Sequence, residues 1–421
     1  MNNFDKKILI ISHNPLSSVN NNGKTLVSIF KGVPEENIYQ IYLNSDIPDY
    51  SEKCHYLQIN ERQIIKTIFR GKNMCCQDVI ATPESVSSAK IGNRNFANHI
   101  KRLLREFIWM FPFWKSKLSK WLQDKHFDVV FFMAGDGLFA YDVYRFVMNH
   151  TSSKGCLFFT DDYILGRTSR SPFASLRQVF LKNKMKKTLS IADEMYVISE
   201  EMRKTYGDLF DKEGHVIRNF SIERNDNKTE KPDDDSALTM VYAGGLHYNR
   251  WKVLSEIAVV LKEINKESHT KCCLKIYSSQ KISDEIVNKI SVEGASEFLG
   301  GASASEIADI YAKADVLLHV ESFDKKAIAS TKYSFSTKIP EYLSAGKCVL
   351  AVGPSEVASM RYLVDCACVI SDYNLLLDAL TKLVIDKNYR ENIAHSCEEQ
   401  FQKDFTENKQ KECLAHILKA E

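Results

Sequence analysis

The sequence predicts an α/β protein made of two parallel-sheet domains, and three observations support this prediction. Short apolar runs that end in turn residues alternate with amphipathic stretches, which is the pattern of buried parallel strands and their crossover helices. A polar stretch at residues 221–236, SIERNDNKTEKPDDDS, divides this pattern into two halves. At about 150 residues per domain, a chain of 421 residues is long enough for two such domains.

The first half opens with a buried strand at residues 8–11, ILII, which is followed by turn residues. A glycine-containing loop at 20–23 and an amphipathic stretch at 25–30 complete a β-loop-α unit. Strands alternating with helices favour a parallel sheet. The remaining predictions for this half are strands at 38–43, 55–59, 129–133, 157–160 and 195–198, and helices at 175–191 and 200–209.

The second half restarts the same pattern directly after the polar stretch. It begins with a strand at 238–242, a tight turn at 243–245 and a helix at 252–264. Further strands are predicted at 272–277, 297–299, 316–320, 348–352 and 368–370, with helices at 304–313 and 375–385.

The domain organisation follows from these two patterns. We expect an N-terminal domain at 1–220, a linker at 221–236, a C-terminal domain at 237–390 and a charged helical tail at 391–421. Ligands of open parallel sheets bind beyond the carboxyl ends of the strands. Two such domains facing each other are therefore expected to enclose a cleft.

Composition excludes several classes of protein. The formal net charge is +2, which gives no support to a nucleic-acid partner. The 11 cysteines have no zinc-site spacing and are interpreted as reduced thiols. The polar N-terminus resembles no signal peptide, and no apolar run reaches the about 18 residues that span a bilayer. We therefore expect a cytoplasmic protein whose membrane contact, where it occurs, is peripheral.

Residues 337–350, TKIPEYLSAGKCVL, form the most informative segment. They predict a helix that begins near Lys338, is capped by Ser336 or Thr337, and ends at a glycine before the next strand. The free amides of a helix N-terminus suit a diphosphate, and Lys338 adds a positive charge. The carboxylate of Glu341 is placed to accept hydrogen bonds from ribose hydroxyls. The alternative is a capped helix with a solvated lysine and glutamate.

Residues 240–251, MVYAGGLHYNRW, form a second segment with phosphate-binding chemistry. Gly244 and Gly245 directly follow a strand and permit close approach of the backbone to a phosphate. Asn249 and Arg250 come next, and a planar guanidinium matches a phosphoryl group. The alternative is a glycine turn with a surface arginine.

Taken together, these segments resemble the donor domain of GT-B glycosyltransferases, in particular family 4 and its capsule and lipopolysaccharide relatives. Residues 297–320, EFLGGASASEIADIYAKADVLLHV, and the stretch PEYLSAGKCVLA resemble conserved segments of that family. The resemblance implies a nucleotide-sugar donor whose base contacts the loop of Phe298 and Gly300. It further implies that Glu341 binds ribose, while Arg250 and Lys338 neutralise the diphosphate.

The resemblance covers residues 6–390 but departs from the family at one position. ADEMYVISE at 192–200 and VIRN at 216–219 resemble family segments, and Gly23 resembles the acceptor-side glycine of the family. The family signature is two glutamates separated by seven residues, yet Tyr333 stands eight positions before Glu341. Either Glu321 or residues 334–336 take the role of the first glutamate. Retention of configuration is implied by the resemblance alone.

Candidate catalytic groups on the acceptor side follow strands of the first half. Asp161 and Asp162 end one strand and are candidates to orient or deprotonate an acceptor hydroxyl. His13 and Asp136 end two others. A lone histidine or aspartate at a strand end also commonly caps a loop.

Two motifs suggest other chemistry and are set aside. Gly23-Lys24-Thr25 resembles a P-loop, but Ser18 replaces the required upstream glycine. Asp233 to Asp235 resembles a manganese motif, but it lies in the linker composition rather than after a strand. We therefore expect no metal and no cofactor, because Arg250 and Lys338 supply the positive charge.

Residues 101–121, KRLLREFIWMFPFWKSKLSKW, are basic and aromatic. Such a segment suits an anionic membrane surface and a lipid-linked acceptor. The alternative is a pair of helices whose aromatic side chains pack on the first sheet.

Three functions compete. The leading hypothesis is transfer of a hexose-type sugar from a nucleoside diphosphate to a saccharide or lipid-linked saccharide in surface polysaccharide assembly, which is the activity of a hexosyltransferase. A non-hydrolysing nucleotide-sugar epimerase can share the fold but needs no acceptor. A non-catalytic partner of another glycosyltransferase is favoured by the missing first glutamate and disfavoured by the trio Arg250, Lys338 and Glu341, which a scaffold does not need.

Overall fold

The computed structural model describes residues 4–18, 21–82, 97–166, 172–220 and 237–419, and the structural statements below refer to these residues. The chain forms two compact units. Unit 1 comprises Met1–Phe220 together with Asn408–Glu421, and unit 2 comprises Ser221–Glu407. Each unit is built on one sheet, with eight strands in unit 1 and six in unit 2.

The sheet of unit 1 has the strand order β4-β3-β2-β1-β5-β6-β7-β8. All neighbouring strands are parallel except the pair β3 and β4, which is antiparallel. The apolar runs of the sequence form its central strands, and every residue of β1 and β5 is buried. The strands are β1 Ile8–Ser12, β2 Ile38–Tyr42, β3 His55–Gln58, β4 Gln77–Val79, β5 Val129–Ala134, β6 Lys154–Phe159, β7 Glu194–Val197 and β8 Gly214–Val216.

Helices connect the strands of unit 1. Their bounds are α1 Asn21–Ile29, α2 Glu61–Arg70, α3 Ala97–Trp109, α4 Phe113–Gln123, α5 Leu138–Met148, α6 Pro172–Leu189 and α7 Glu200–Phe210. Local chemistry explains the ends of α2. Asn60 and Gln63 form a reciprocal capping box, and Gly71 ends the helix in the left-handed conformation with φ of 64°.

The sheet of unit 2 is entirely parallel, with the order β11-β10-β9-β12-β13-β14. Its strands are β9 Ala237–Ala243, β10 Lys271–Tyr277, β11 Ser296–Phe298, β12 Val316–Val320, β13 Cys348–Val352 and β14 Cys368–Ile370. Its helices are α8 Arg250–Glu267, α9 Asp284–Ile290, α10 Ala304–Lys313, α11 Lys325–Thr331, α12 Lys338–Ser344, α13 Ala358–Leu363, α14 Leu376–Ile385 and α15 Lys387–Asp404. Short 3-10 turns occur at Glu35–Asn37, His247–Asn249 and Tyr373–Leu375.

The C-terminal segment divides between the two units. Helix α15 packs on α12 and β13 in unit 2, whereas the last helix, α16 (Glu407–Leu418), belongs to unit 1. Gln410 is buried and its Nε2 donates to the carbonyl oxygens of Ile29 and Lys31, both at 2.8 Å. These bonds satisfy backbone carbonyls directly after α1, and buried Leu414 adds apolar contact.

The α/β class with two parallel-sheet domains is confirmed, and three local expectations are corrected. Strands β4 and β8 are additional to the strands that the sequence predicts, and β4 is antiparallel. Gly23 lies in the first turn of α1 rather than in a loop. A Cβ at Gly23 would stand 2.5 Å from the backbone nitrogen of Ser17, so the glycine allows the preceding chain to pack against this turn.

Candidate functional site

Three residues of unit 2 stand at the same edge of the sheet because each directly follows a parallel strand. Gly244, Glu321 and Gly353 come after β9, β12 and β13. Their amides extend the ladder beyond the strands: Glu321 N donates to Val352 O at 2.9 Å, and Gly353 N donates to Ile370 O at 3.0 Å. The carboxyl edge of this sheet is therefore the place where these residues can act together.

Arg250 and Glu321 form a buried ion pair at this edge. The Nη2 of Arg250 donates to both carboxylate oxygens of Glu321, at 2.9 and 3.0 Å. Glu321 is only 3% exposed, and this burial raises its pKa, while the charge of Arg250 opposes the rise. A buried carboxylate without a partner is costly, so the pair fixes the position of the guanidinium.

Two further residues enclose the carboxylate of Glu321. The Nε2 of His319 lies 3.6 Å from Glu321 Oε1, and His319 is buried. Burial and the nearby Arg250 lower the pKa of His319 to about 3, so the ring is neutral near pH 7. A Cβ at Gly353 would stand 2.8 Å from the Cβ of Glu321 and 3.1 Å from its backbone nitrogen, so glycine at this position leaves room for the chain that carries the carboxylate.

The second edge of the guanidinium faces an exposed side chain. Arg250 Nη1 donates to His247 Nε2 at 3.0 Å, and His247 is exposed. An incoming phosphate oxygen can replace His247 at Nη1 without breaking the buried contact between Nη2 and Glu321. The arrangement therefore holds the arginine by one nitrogen and offers the other to a ligand.

The turn between β9 and α8 is shaped by unusual backbone conformations. Tyr248 and Asn249 adopt positive φ angles of 58° and 62°, which non-glycine residues rarely adopt. The side-chain amide of Asn249 donates to Asp324 Oδ2, and Lys252 Nζ lies 3.2 Å from the same oxygen. Asn249 was expected to face a phosphate, but its amide is bound to a carboxylate.

The glycines of this turn lie close to two aromatic side chains. A Cβ at Gly244 would stand 2.8 Å from the Oη of Tyr242, and one at Gly245 would stand 2.4 Å from His247 Nδ1. Tyr242 Oη donates to Gly245 O at 2.7 Å. The sequence predicts that a phosphate approaches the backbone at these glycines. In the structure, side chains of the protein itself occupy the space beside them.

Helix α12 carries the second pair of candidate residues, Lys338 and Glu341. Lys338 Nζ lies 3.9 Å from Glu341 Oε2, and both side chains are about one-third exposed, at 34% and 31%. The hydroxyl of Ser336 accepts from Lys338 N at 3.4 Å, whereas Thr337 occupies the cap position with no capping bond from its side chain. Of the two expected caps, Ser336 is the one that bonds to the helix.

One contact ties α12 to the glycine turn. Tyr342, the residue after Glu341, is buried and its Oη reaches Ala243 O at 3.5 Å. Ala243 is the last residue of β9 and precedes Gly244. Lys338 and Glu341 therefore belong to a helix that packs against the strand end from which the turn to Arg250 begins.

The expected base-contacting loop lies at the same edge. Strand β11 ends at Phe298, and Gly300 follows with φ of +76°, where a side chain would be strained. Gly300 O accepts from Ser278 N at 2.6 Å, which joins this loop to the end of β10. Phe298 and Gly300 are therefore placed at the carboxyl edge of the sheet, as their sequence position predicts.

In unit 1 the two adjacent aspartates have different surroundings. The carboxylate of Asp162 is buried and accepts from the amides of Ile164 and Leu165 at 3.0 Å, from the Gly166 amide, and from Tyr206 Oη at 2.9 Å. These bonds give Asp162 a structural role in the loop after β6. Asp161 is exposed and stays the catalytic candidate of the pair.

His13 and Asp136 are held by arginines of α3. The Nη1 of Arg105 lies 3.4 Å from His13 Nε2, and burial followed by the charge of Arg105 lowers the pKa of His13 to about 4. Arg102 Nη1 lies 3.3 Å from Asp136 Oδ2. A neutral His13 has the protonation state of a base near pH 7, and His13 and Asp136 both follow strands of unit 1 closely.

Metal-binding geometry is not found in the part of the chain that the structure describes. Within it, no group of three or more histidine, cysteine, aspartate or glutamate residues is placed to hold an ion. The aspartates 233–235 of the sequence motif lie outside the described residues. All 11 cysteines are free.

Sequence reasoning missed several residues that shape the site. His319 lies inside a strand and Gly353 after another, and neither is part of a recognisable motif. The sequence pattern of residues 240–251 does not single out His247. The alternation of apolar and polar residues in VLLHVE did place a histidine and a glutamate at one strand end, and this was the available signal.

Comparison of the chain with protein-family models and with curated proteins gives no match. Solved structures do match in fold. The E. coli trehalose-6-phosphate protein bound with UDP-2-fluoro glucose superposes with a TM-score of 0.64 at 11% identity, covering 99% of each chain. The α,α-trehalose 6-phosphate synthase of Burkholderia multivorans gives 0.60 at 9% identity, covering 98% of this chain and 96% of its own. A glycosyltransferase of Rickettsia africae gives 0.61 at 11% identity, covering 99% of this chain and 100% of its own.

These likenesses extend over nearly the whole chain and define its fold. At about one identical residue in ten, they show the architecture and no more. The fold is that of the two-domain GT-B glycosyltransferases.

Proposed function

We propose that this protein is a metal-independent glycosyltransferase that moves a sugar from a nucleoside-diphosphate donor to a saccharide or lipid-linked saccharide acceptor, with retention of configuration. The observation that carries the proposal is the ion pair of Arg250 and Glu321 at the carboxyl edge of the second sheet. The ion pair holds the guanidinium of Arg250 in place, and the other terminal nitrogen of this guanidinium faces His247. A phosphate oxygen can take the place of His247 at that nitrogen.

The donor is assigned to unit 2. Lys338 supplies a second positive charge on the helix that packs against the end of β9, and Glu341 supplies a carboxylate one turn along. In this proposal Arg250 and Lys338 stabilise the negative charge that develops on the leaving diphosphate, and Glu341 binds the ribose. The loop of Phe298 and Gly300 contacts the base. No metal or cofactor is needed, because two cations serve the leaving group.

The acceptor is assigned to unit 1, with Asp161 or the neutral His13 as the group that deprotonates or orients its hydroxyl. Surface polysaccharide assembly is the process that the family resemblance favours. In that process the protein acts in the cytoplasm, at the inner face of the membrane. The fold neighbours support the proposal, because one is described with a bound UDP-sugar and one is described as a glycosyltransferase.

The test is a thermal-shift screen of the protein against UDP, GDP and CMP and their sugars, with and without EDTA. A selective rise in Tm with one nucleotide, unchanged by EDTA, is expected. Formation of a new glycoside is then measured with that donor and a panel of saccharide acceptors. Turnover of the donor sugar without an acceptor would replace the proposal by an epimerase.

A matched pair of variants distinguishes a loss of donor binding from the general effect of removing one positive charge. Lys338→Ala should remove most of the thermal shift, whereas Lys313→Ala should retain it. Lys313 is exposed and precedes β12 at the amino edge of the same sheet, so its removal changes the net charge equally. Equal shifts in both variants, or no shift in the native protein with any nucleotide, would contradict the donor-site assignment.

A further inference from the structure

Helix α3 of unit 1 exposes several apolar side chains to solvent, which a surface helix ordinarily buries. Two of its charged residues, Arg105 and Glu106, face the protein, whereas its apolar residues Leu103, Leu104 and Phe107 are exposed. Phe107 is 57% exposed, and Met110, directly after the helix, is 77% exposed. A surface helix ordinarily buries its apolar stripe and hydrates its charges, so this arrangement requires an explanation.

The inward charges of α3 are satisfied by specific partners. Arg105 pairs with Glu61 of α2, and Glu106 lies 3.1 Å from Arg177 of α6. Glu106 also accepts from the amide of Leu138 at 3.0 Å. These bonds fix the rotation of α3 about its axis, so the exposure of its apolar face follows from the ion pairs that hold it.

Helix α6 continues the apolar surface beside α3. Leu176, Val179 and Phe180 are exposed, and Phe180 is 54% exposed. The ion pair between Glu106 and Arg177 joins α6 to α3, and Phe107 and Leu176 are the sequence neighbours of the paired residues. We call the exposed side chains Leu103, Leu104, Phe107, Met110, Leu176, Val179 and Phe180 the apolar face.

The helices around the apolar face carry an excess of positive charge. Helices α2, α3, α4 and α6 contain fourteen lysines and arginines and two acidic residues, Glu61 and Glu106. Both acids are paired with arginines and are partly buried. The whole chain has 56 basic and 54 acidic residues, so this concentration of charge is specific to one region.

Exposed lysines of α6 border the apolar face. Lys182, Lys186 and Lys187 are exposed and follow Phe180 within two turns of the helix. An apolar strip with a basic border matches a bilayer with anionic lipids, in which acyl chains receive the apolar side chains and headgroups receive the lysines. A second copy of this near-neutral chain has no comparable excess of acid to complement it.

We propose that the apolar face of α3 and α6, with its basic border, docks unit 1 on the surface of an anionic membrane. The structure changes the interpretation of residues 101–121 in one respect. Trp109 and Trp114 are 5% and 2% exposed and pack inside unit 1, so these two tryptophans do not form the contact. No described helix is long and apolar enough to cross a membrane, and the contact is therefore one of surface docking.

The inference does not depend on the proposed activity, because lipid binding is measured without donor or acceptor. The full chain is mixed with vesicles of phosphatidylcholine alone, or with about 30% phosphatidylglycerol added, at about 0.1 M salt. Binding is measured by flotation. We expect binding to the anionic vesicles and at least tenfold weaker binding to the neutral ones.

Variants test both components of the surface. Phe107→Ser combined with Phe180→Ser should weaken partition into anionic vesicles at least tenfold. The matched control is Leu377→Ser combined with Ile385→Ser, two exposed apolar residues of unit 2, which should bind as the native chain does. Because all four side chains are exposed, unchanged thermal melting should accompany each variant.

Replacement of Lys182, Lys186 and Lys187 by glutamine should also weaken anionic binding at least tenfold. A matched triple change of Lys313, Lys325 and Lys326 should leave it unchanged. Absence of binding by the native chain, or equal binding by the phenylalanine pair variant, would overturn the proposal. So would a dimer that dissociates in the Phe107 and Phe180 variant, because a second copy would then be the occupant of the face.

Discussion

Arg250 holds Glu321 through a single nitrogen, with Nη2 at 2.9 and 3.0 Å from the two carboxylate oxygens. Because Glu321 is buried, the same ion pair affects the stability of unit 2 and positions the guanidinium that is proposed to bind the donor. Removal of the arginine leaves an unpaired buried carboxylate, whereas removal of both charges leaves none. Single and double substitutions at these two positions distinguish the two effects.

The first prediction concerns stability. Arg250→Met should lower the free energy of unfolding by about 3–5 kcal/mol near pH 7. The double variant Arg250→Met with Glu321→Leu should recover most of this loss, because no buried charge is left. Urea denaturation followed by circular dichroism measures both, and additive losses in the double variant would refute the pairing.

The pH dependence of the free energy of unfolding of Arg250→Met is a second test of the same ion pair. Burial raises the pKa of Glu321, and loss of Arg250 removes the charge that opposes this rise. A carboxyl whose folded pKa is raised stabilises the fold at low pH, and that contribution is lost as pH rises through the folded pKa. The deficit of this variant relative to the native chain should therefore be larger at pH 8 than at pH 5.

The second prediction concerns donor binding. Arg250→Lys keeps the charge but loses the fork that contacts Glu321 and a phosphate at once, so donor affinity should fall by at least ~1.5 kcal/mol, or about tenfold. Lys338→Ala should produce a similar loss. Isothermal titration with the nucleotide that the thermal-shift screen selects measures both. Native affinity in both variants, with Lys313→Ala as the charge control, would show that the donor binds elsewhere.

The third prediction concerns Gly353. Its substitution by alanine places a Cβ 2.8 Å from that of Glu321, and the strand end must move. We expect a loss of about 1–3 kcal/mol in stability, together with weaker nucleotide binding. Gly135→Ala is the control, since a Cβ there meets nothing within 4 Å. A Gly353→Ala variant with native stability and affinity would show that Glu321 can shift without consequence.

The fourth prediction concerns His319. Its pKa is lowered to about 3, first by burial and then by Arg250, while the unfolded value is near 6.5. The unfolded chain therefore binds a proton that the folded chain does not, and stability falls as pH decreases from about 6.5 toward 3. His319→Asn should reduce the slope between pH 6 and 4 by up to about 1.4 kcal/mol per pH unit.

The slope, rather than the stability at one pH, is the measurement for His319, because the substitution itself also lowers stability. An unchanged slope in His319→Asn would mean that His319 takes up a proton in the folded state. His13 has a lowered pKa of about 4 for similar reasons and contributes to the native slope in unit 1. His13→Asn is therefore the parallel experiment.

The fifth prediction separates the two adjacent aspartates of unit 1. Asp162→Ala removes the acceptor of three backbone amides and of Tyr206, and should cost about 2–4 kcal/mol of stability. Asp161→Asn should leave thermal melting unchanged and lower turnover in the glycosyltransfer assay. If Asp161→Asn retains full turnover, His13 is left as the acceptor-side base, and its alanine variant tests that role.

The sequence identified the architecture because the signals for it are local. Apolar runs such as ILII and CVLAV are buried strands wherever they occur, and a polar stretch without apolar residues cannot join a core. The sequence also placed Gly244, Phe298 and Glu321 at strand ends, and parallel strands bring their carboxyl ends to one edge.

The sequence could not assign partners to these residues. Arg250 and Glu321 are separated by 71 positions, and only the packing of β9 beside β12 brings them together. Partners could not be assigned to Asp162 either. Its position after a strand suggested a catalytic role, but the structure shows that its carboxylate accepts hydrogen bonds from backbone amides and from Tyr206, which is a structural role.

By itself the sequence determined the two-sheet organisation and the chemical types of residue at the strand ends, since both depend on hydrophobic periodicity and chain direction. Only the tertiary structure decided that Arg250 is held by Glu321, that His319 is neutral and that the apolar side of α3 faces outward. The physical reason is that ion pairing, desolvation and helix rotation arise from contacts between distant segments, which no local pattern encodes.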